Sequence, residues 1–93
     1  RLTNEVLFNL NVQGAILGEN FRVQNNPVTI SGLAYPGLEV VITNQDIVKQ
    51  VKTDSRGRWG ITMPLSGQQV KISFRNADTG IDYASETYTI ENN

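Results

Sequence analysis

Apolar and polar residues alternate along most of this chain, and the period is two. Val6, Phe8, Leu10 and Val12 take turns with Leu7, Asn9, Asn11 and Gln13, the pattern of a half-buried strand. Gly14 ends it, residues 15–18 read as a short apolar linker, and residues 19–24 as an edge piece built on Phe21 and Val23. Asn25, Asn26 and Pro27 break the chain, because proline lacks a ladder donor and restricts the residue before it. Val28, Ile30 and Gly32 then oppose Thr29, Ser31 and Leu33, and after a turn Leu38, Val40 and Ile42 oppose Glu39, Val41 and Thr43. Tyr35-Pro36-Gly37-Leu38 suits a type II turn, with proline second and a positive-φ residue third. Residues 44–46 turn the chain again, and residues 47–53 form a weaker strand in which Lys49 and Lys52 mark a sheet edge.

Residues 51–65 organise the rest. Asp54, Ser55, Arg56 and Gly57 suit a type I turn, in which the aspartate accepts from backbone amides ahead of it and the glycine closes the turn at positive φ. Trp59, Ile61 and Met63 then alternate with Gly60 and Thr62 up to Pro64, which places three large apolar side chains on one face. Such a face needs a second sheet to cover it. After a turn at residues 65–68, Val70, Ile72 and Phe74 alternate with Lys71, Ser73 and Arg75; residues 76–82 form a polar loop. In the last strand, residues 83–90, Tyr88 and Ile90 point inward and Thr87 and Thr89 outward. Turn signals near Pro36, Gln45, Arg56, Gly67 and Asp78 recur roughly every ten residues, and no comparable stretch has helical periodicity, so the chain predicts a sandwich of short antiparallel strands.

Composition narrows the chemistry. Ninety-three residues with 39% hydrophobic and 18% charged content make a single globular domain covering 1–93 with a modest core. Eight basic and nine acidic residues, spread without blocks, give a net charge of -1 and no electrostatic footprint for nucleic acid or an anionic membrane. The absence of cysteine and histidine removes disulfides, thiol nucleophiles, Cys-based zinc sites and the commonest general base. No run is long and apolar enough for a membrane span or a signal peptide. The first residue is Arg1, which predicts a segment excised from a longer, multidomain protein whose targeting signal lies elsewhere.

The run Val28-Thr29-Ile30-Ser31-Gly32-Leu33-Ala34-Tyr35-Pro36-Gly37-Leu38-Glu39-Val40-Val41-Ile42, followed by Val51-Lys52-Thr53-Asp54-Ser55-Arg56-Gly57-Arg58-Trp59, resembles the bacterial immunoglobulin-like domains found in tandem in surface adhesins. The shared pattern is I-x-G-x-A-x-P-G-x-x-V and then T-D-x-x-G-x-W. Leu33 and Tyr35 are bulkier than the small or acidic residues common there, and the loop Asn76-Ala77-Asp78-Thr79-Gly80 lacks the family's second glycine-asparagine step. The resemblance implies an all-β, immunoglobulin-like antiparallel sandwich of about seven strands and an extracellular or cell-surface location. Related modules of phage virions share much of the pattern.

Each candidate for chemistry has a structural counterpart. Trp59 could stack on a sugar ring, but its inward strand position makes it core. Tyr35, at a turn tip, is an exposed aromatic contact or packs over Pro36. Asp46, Asp54, Asp78 and Asp82 sit in turns where they could give oxygen ligands to calcium, although turn aspartates serve the backbone equally well and no dense Asp-x-Asp spacing occurs. Arg56 and Arg58 flank a glycine, and either bind an anion or remain solvated. Lys49, Lys52 and Lys71 fall on polar faces, away from the buried geometry that an intramolecular isopeptide bond with asparagine requires. No metal, cofactor or catalytic group is assigned; the binding candidates are Tyr35, Arg56, Arg58, Asp78 and Asp82.

Two roles follow as expectations. The first is a non-catalytic structural module that spaces or presents an adhesive region, with neighbouring domains of the same chain as partners and the force path running between residues 6–12 and 83–90. The second is recognition of a glycan or host surface protein through loops at residues 35–37, 54–58 and 76–82, and a phage virion decoration domain is a third context. Exposed aromatics gathered at one end favour recognition; evenly polar loops favour the spacer.

Overall fold

The structure, a computed structural model, describes residues 10–91. Val6 and Phe8 of the expected first strand lie outside the described residues. Among those described, nine strands form, with no helix: β1 Leu10–Gln13, β2 Ala15–Leu17, β3 Phe21–Val23, β4 Val28–Leu33, β5 Leu38–Asn44, β6 Ile47–Lys52, β7 Arg58–Met63, β8 Gln69–Asn76 and β9 Asp82–Glu91. They build a three-stranded sheet, β1-β4-β7, facing a six-stranded one, β2-β3-β9-β8-β5-β6. This is the all-β sandwich that the alternation predicts. The expected count of about seven becomes nine: the edge piece read at residues 19–24 forms β3, and β2, at three residues, is too short to show a period. Residues 15–17, read as a linker, pair with β3 instead.

The inward faces are those expected. Val28, Ile30, Trp59, Ile61 and Met63 of one sheet meet Leu38, Val40, Ile42, Val70, Ile72 and Phe74 of the other, all buried. Each fully buried side chain of this size contributes about 1.5–3 kcal/mol. Trp59 packs edge-on against Phe74 at 5.7 Å between ring centroids, joining the two sheets. Tyr88 is half-buried, and its ring meets Phe21 edge-on at 5.2 Å. Leu65, read as part of a turn, is buried.

Register fixes which loops share an end. Leu33 pairs with Arg58 and Leu38 with Asn76, so the loops at residues 34–37, 53–57 and 77–81 gather at one end of the sandwich. Asn44 pairs with Ile47 and Val28 with Met63 at the other end. There Asn44, read as a turn residue, is instead a buried residue closing β5: its Nδ2 donates to the carbonyls of Ser66 and Gln69 at 2.8 and 2.9 Å, and its Oδ1 accepts from the Ser66 amide at 3.0 Å. β6 forms the outer edge of its sheet, where the lysines foresaw an edge. A second pairing escaped the sequence altogether: β3 runs parallel to β9, with Phe21 opposite Ile90 and Arg22 opposite Glu91.

Candidate functional site

The loop-bearing end is built outward from the turn at Asp54. The Gly57 amide donates to the Asp54 carbonyl at 2.9 Å, with Gly57 at φ 80°, as the turn chemistry predicts. Asp54 Oδ1 accepts from the amides of Arg56 and Arg58 at 2.9 and 2.8 Å, and its Oδ2 accepts from Arg58 Nε at 2.9 Å. The Arg58 amide above all holds the Asp54 carboxyl below its ordinary range; desolvation opposes it, and the Arg56 amide and the Arg58 guanidinium add to the lowering. An ionised carboxylate so engaged is poorly matched to proton transfer at neutral pH.

The second loop is tied to this turn. The Ala34 amide donates to the Gly57 carbonyl at 2.8 Å, and Thr53 Oγ1 donates to the Tyr35 carbonyl at 2.7 Å while accepting from the Leu38 amide at 3.1 Å. Pro36 and Gly37 make the expected turn, Gly37 at φ 81°. The third loop joins the second through the Ala77 amide and the Gly37 carbonyl at 3.4 Å. It is ordered from within by Asn76, whose Oδ1 accepts from the amides of Asp78 and Thr79 at 2.8 and 3.0 Å and whose Nδ2 donates to Tyr83 Oη at 3.0 Å.

Of the sequence candidates, Tyr35, Arg56, Arg58 and Asp78 are therefore brought to one end, all exposed. Asp82 opens β9 opposite Arg75, and Arg75 is paired with Glu39, itself opposite Lys52. The four alternate in sign along one row on the outside of the six-stranded sheet, a structural setting for Asp82. Asp46 lies at the opposite end from the other turn aspartates, and among the described residues no group of three or more carboxylates gathers as a metal site. Lys49, Lys52 and Lys71 are exposed, but only Lys52 and Lys71 lie on the outer face; Lys49 pairs with the buried Ile42, on the inner face at the sheet edge.

No family model, curated protein or solved structure matches this chain. Geometry therefore carries the functional argument.

The sequence missed the aliphatic part of this end. Leu33, Ile81 and Tyr83 are 53%, 64% and 44% exposed, beside Tyr35 at 44%. Ile81 was legible as an apolar residue stranded in a polar loop, whereas Leu33 reads as an ordinary strand residue until register turns it outward. The end thus presents two aromatic and two aliphatic side chains with two arginines. No helix among the described residues is long and apolar enough to cross a membrane.

Proposed function

We propose that the chain is a non-catalytic module of a cell-surface or secreted protein that joins neighbouring domains in series and carries load between them. One observation supports this most. Leu10 pairs with Gly32 at the loop-bearing end, while Glu91 pairs with Arg22 at the opposite end, so the described chain enters at one end and leaves at the other. Tension applied there runs along β1 and β9, loading their ladders in shear, with many hydrogen bonds resisting together. The parallel β3–β9 contact strengthens the exit: Asn20 Nδ2 and Arg22 Nη2 donate to the Glu91 carboxylate at 2.8 and 3.3 Å, and Phe21 is fully buried beside Tyr88.

Single-molecule pulling tests the reading. Handles at residues 1 and 93 are expected to give an unfolding force several times that of handles at residues 35 and 81, which share one end and peel the strands apart. Equal forces overturn it.

A second reading, recognition of a glycan or host surface protein through the loop-bearing end, draws on the gathering of Leu33, Tyr35, Ile81 and Tyr83 there. Tyr35→Ser with Ile81→Asp separates the two: recognition predicts lost binding at unchanged unfolding force.

A further inference from the structure

The outer face of the three-stranded sheet holds a hollow that the linking role does not use and that shares Leu33 and Arg58 with the loop-bearing end. Register stacks two cross-strand rows there, Leu33 beside Arg58 and, below them, Asn11, Ser31 and Gly60. Gly60 has no side chain and Ser31 a short one, so the lower row is sunken. The resulting hollow, about 380 Å³, is lined by Asn11, Ser31, Gly32, Leu33, Arg58 and Trp59.

Its walls differ in chemistry. Leu33 contributes an exposed aliphatic surface, and Arg58 is the one charged residue in the lining. The Arg58 side chain is oriented in advance: Asp54 holds its Nε at 2.9 Å and its backbone amide at 2.8 Å, while its two terminal nitrogens make no hydrogen bond among the described residues. The Ser31 hydroxyl has only a long contact, 3.5 Å, to the Asn11 carbonyl. The hollow therefore offers a fixed cationic fork, a hydroxyl, an amide and an apolar wall around space for a single ring.

We infer that this hollow binds a saccharide bearing a carboxylate. The Arg58 fork takes the carboxylate through its terminal nitrogens, a geometry that guanidinium matches and ammonium does not. Ser31 and Asn11 take ring hydroxyls, and the ring's C–H face lies against Leu33. A bare anion leaves the hydroxyl and amide unused, and a neutral sugar leaves the fork unused. The site goes beyond the linking role, and either can fail without the other.

The test is a two-dimensional amide NMR titration of the folded chain with glucuronic acid, run beside glucose and sodium acetate. Saturable shifts at Asn11, Ser31 and Arg58 with glucuronic acid alone are expected. Arg58→Lys keeps the charge but loses the fork, and weakens binding about tenfold. Gly60→Ala raises the floor of the sunken row, and because its Cβ meets only the Ser31 Cβ within 4 Å, at 3.6 Å, the strand accepts it; binding weakens while thermal unfolding holds. Should either variant lose its dispersed spectrum, Ser31→Ala gives the same readout. Absent shifts, equal responses to glucose or acetate, or variants that bind like the parent overturn the inference.

Discussion

The Ala34 carbonyl oxygen occupies the point where a Gly57 side chain would begin, and the Ala34 amide donates to the Gly57 carbonyl at 2.8 Å. The two loops meet backbone to backbone, with no room for a methyl group. Gly57 also lies at φ 80°, where a side chain costs about 1–2 kcal/mol by itself. Gly57→Ala is expected to lose about 3 kcal/mol or more, since the clash adds to the strain. Gly80→Ala, at φ 75° with nothing within 4 Å, isolates the conformational part and should lose only about 1–2 kcal/mol. Urea denaturation of both checks the difference.

Trp59 tests what its ring contributes against what its N–H contributes. The indole is buried against Phe74, and its Nε1 finds no partner among the described residues. Trp59→Ala should cost about 3–5 kcal/mol, from lost burial and the cavity left behind. Trp59→Phe keeps an aromatic ring and removes a buried donor that satisfies nothing, so it should cost about 1 kcal/mol or less than a third of the alanine change. Denaturation followed by circular dichroism reads both.

Asn44 holds the opposite end. Its three hydrogen bonds reach the Ser66 amide and the carbonyls of Ser66 and Gln69. Asn44→Leu leaves those groups without their partner and is expected to cost about 2–4 kcal/mol. Asn44→Asp faces a carboxylate with two carbonyl oxygens and should cost at least as much at neutral pH, recovering partly in acid as the carboxyl protonates. Unfolding midpoints at two pH values show the sign.

Stability should fall at both extremes of pH. The carboxyls of Asp54 and Glu91 are held below their usual values, Asp54 chiefly by the Arg58 amide and Glu91 chiefly by Asn20 and then Arg22. A depressed folded pKa stabilises above the unfolded value, so these contributions are complete above about pH 4.5 and fade as the pH drops through the folded values. Burial, and then Glu86, push the Tyr88 hydroxyl up from 10.0. Its contribution is present below pH 10 and is lost on further alkalinisation. Melting temperatures should follow this course, with Asp54→Asn blunting the acid fall and Tyr88→Phe the alkaline one.

The sandwich was legible because its long strands alternate. Val28–Ile30, Val40–Ile42, Trp59–Ile61–Met63 and Val70–Ile72–Phe74 carry the period, and the turns at Gly37 and Gly57 carry their own backbone requirement. What was illegible depends on neighbours far away in sequence. Ala15–Leu17 is a strand only because β3 is there to pair with it, and β3, read as an edge piece, gains its parallel partner β9 from the far end of the chain. Asn44 looks like a turn residue and Thr53 like the end of an edge strand, but both are buried with hydrogen bonds to other loops. Of the candidate site, Tyr35 and the two arginines were visible as exposed turn residues, whereas the hollow between Leu33, Ser31 and Gly60 exists only once register sets those strands side by side.

A chain that passes in at one end and out at the other turns its own fold into stored length. The folded molecule measures 38 Å in its longest dimension, whereas the described stretch from Leu10 to Glu91 would reach on the order of 280 Å fully extended. One unfolding event under tension would therefore release slack several times the length of the folded unit and let the load on everything attached to it fall before any covalent bond is strained.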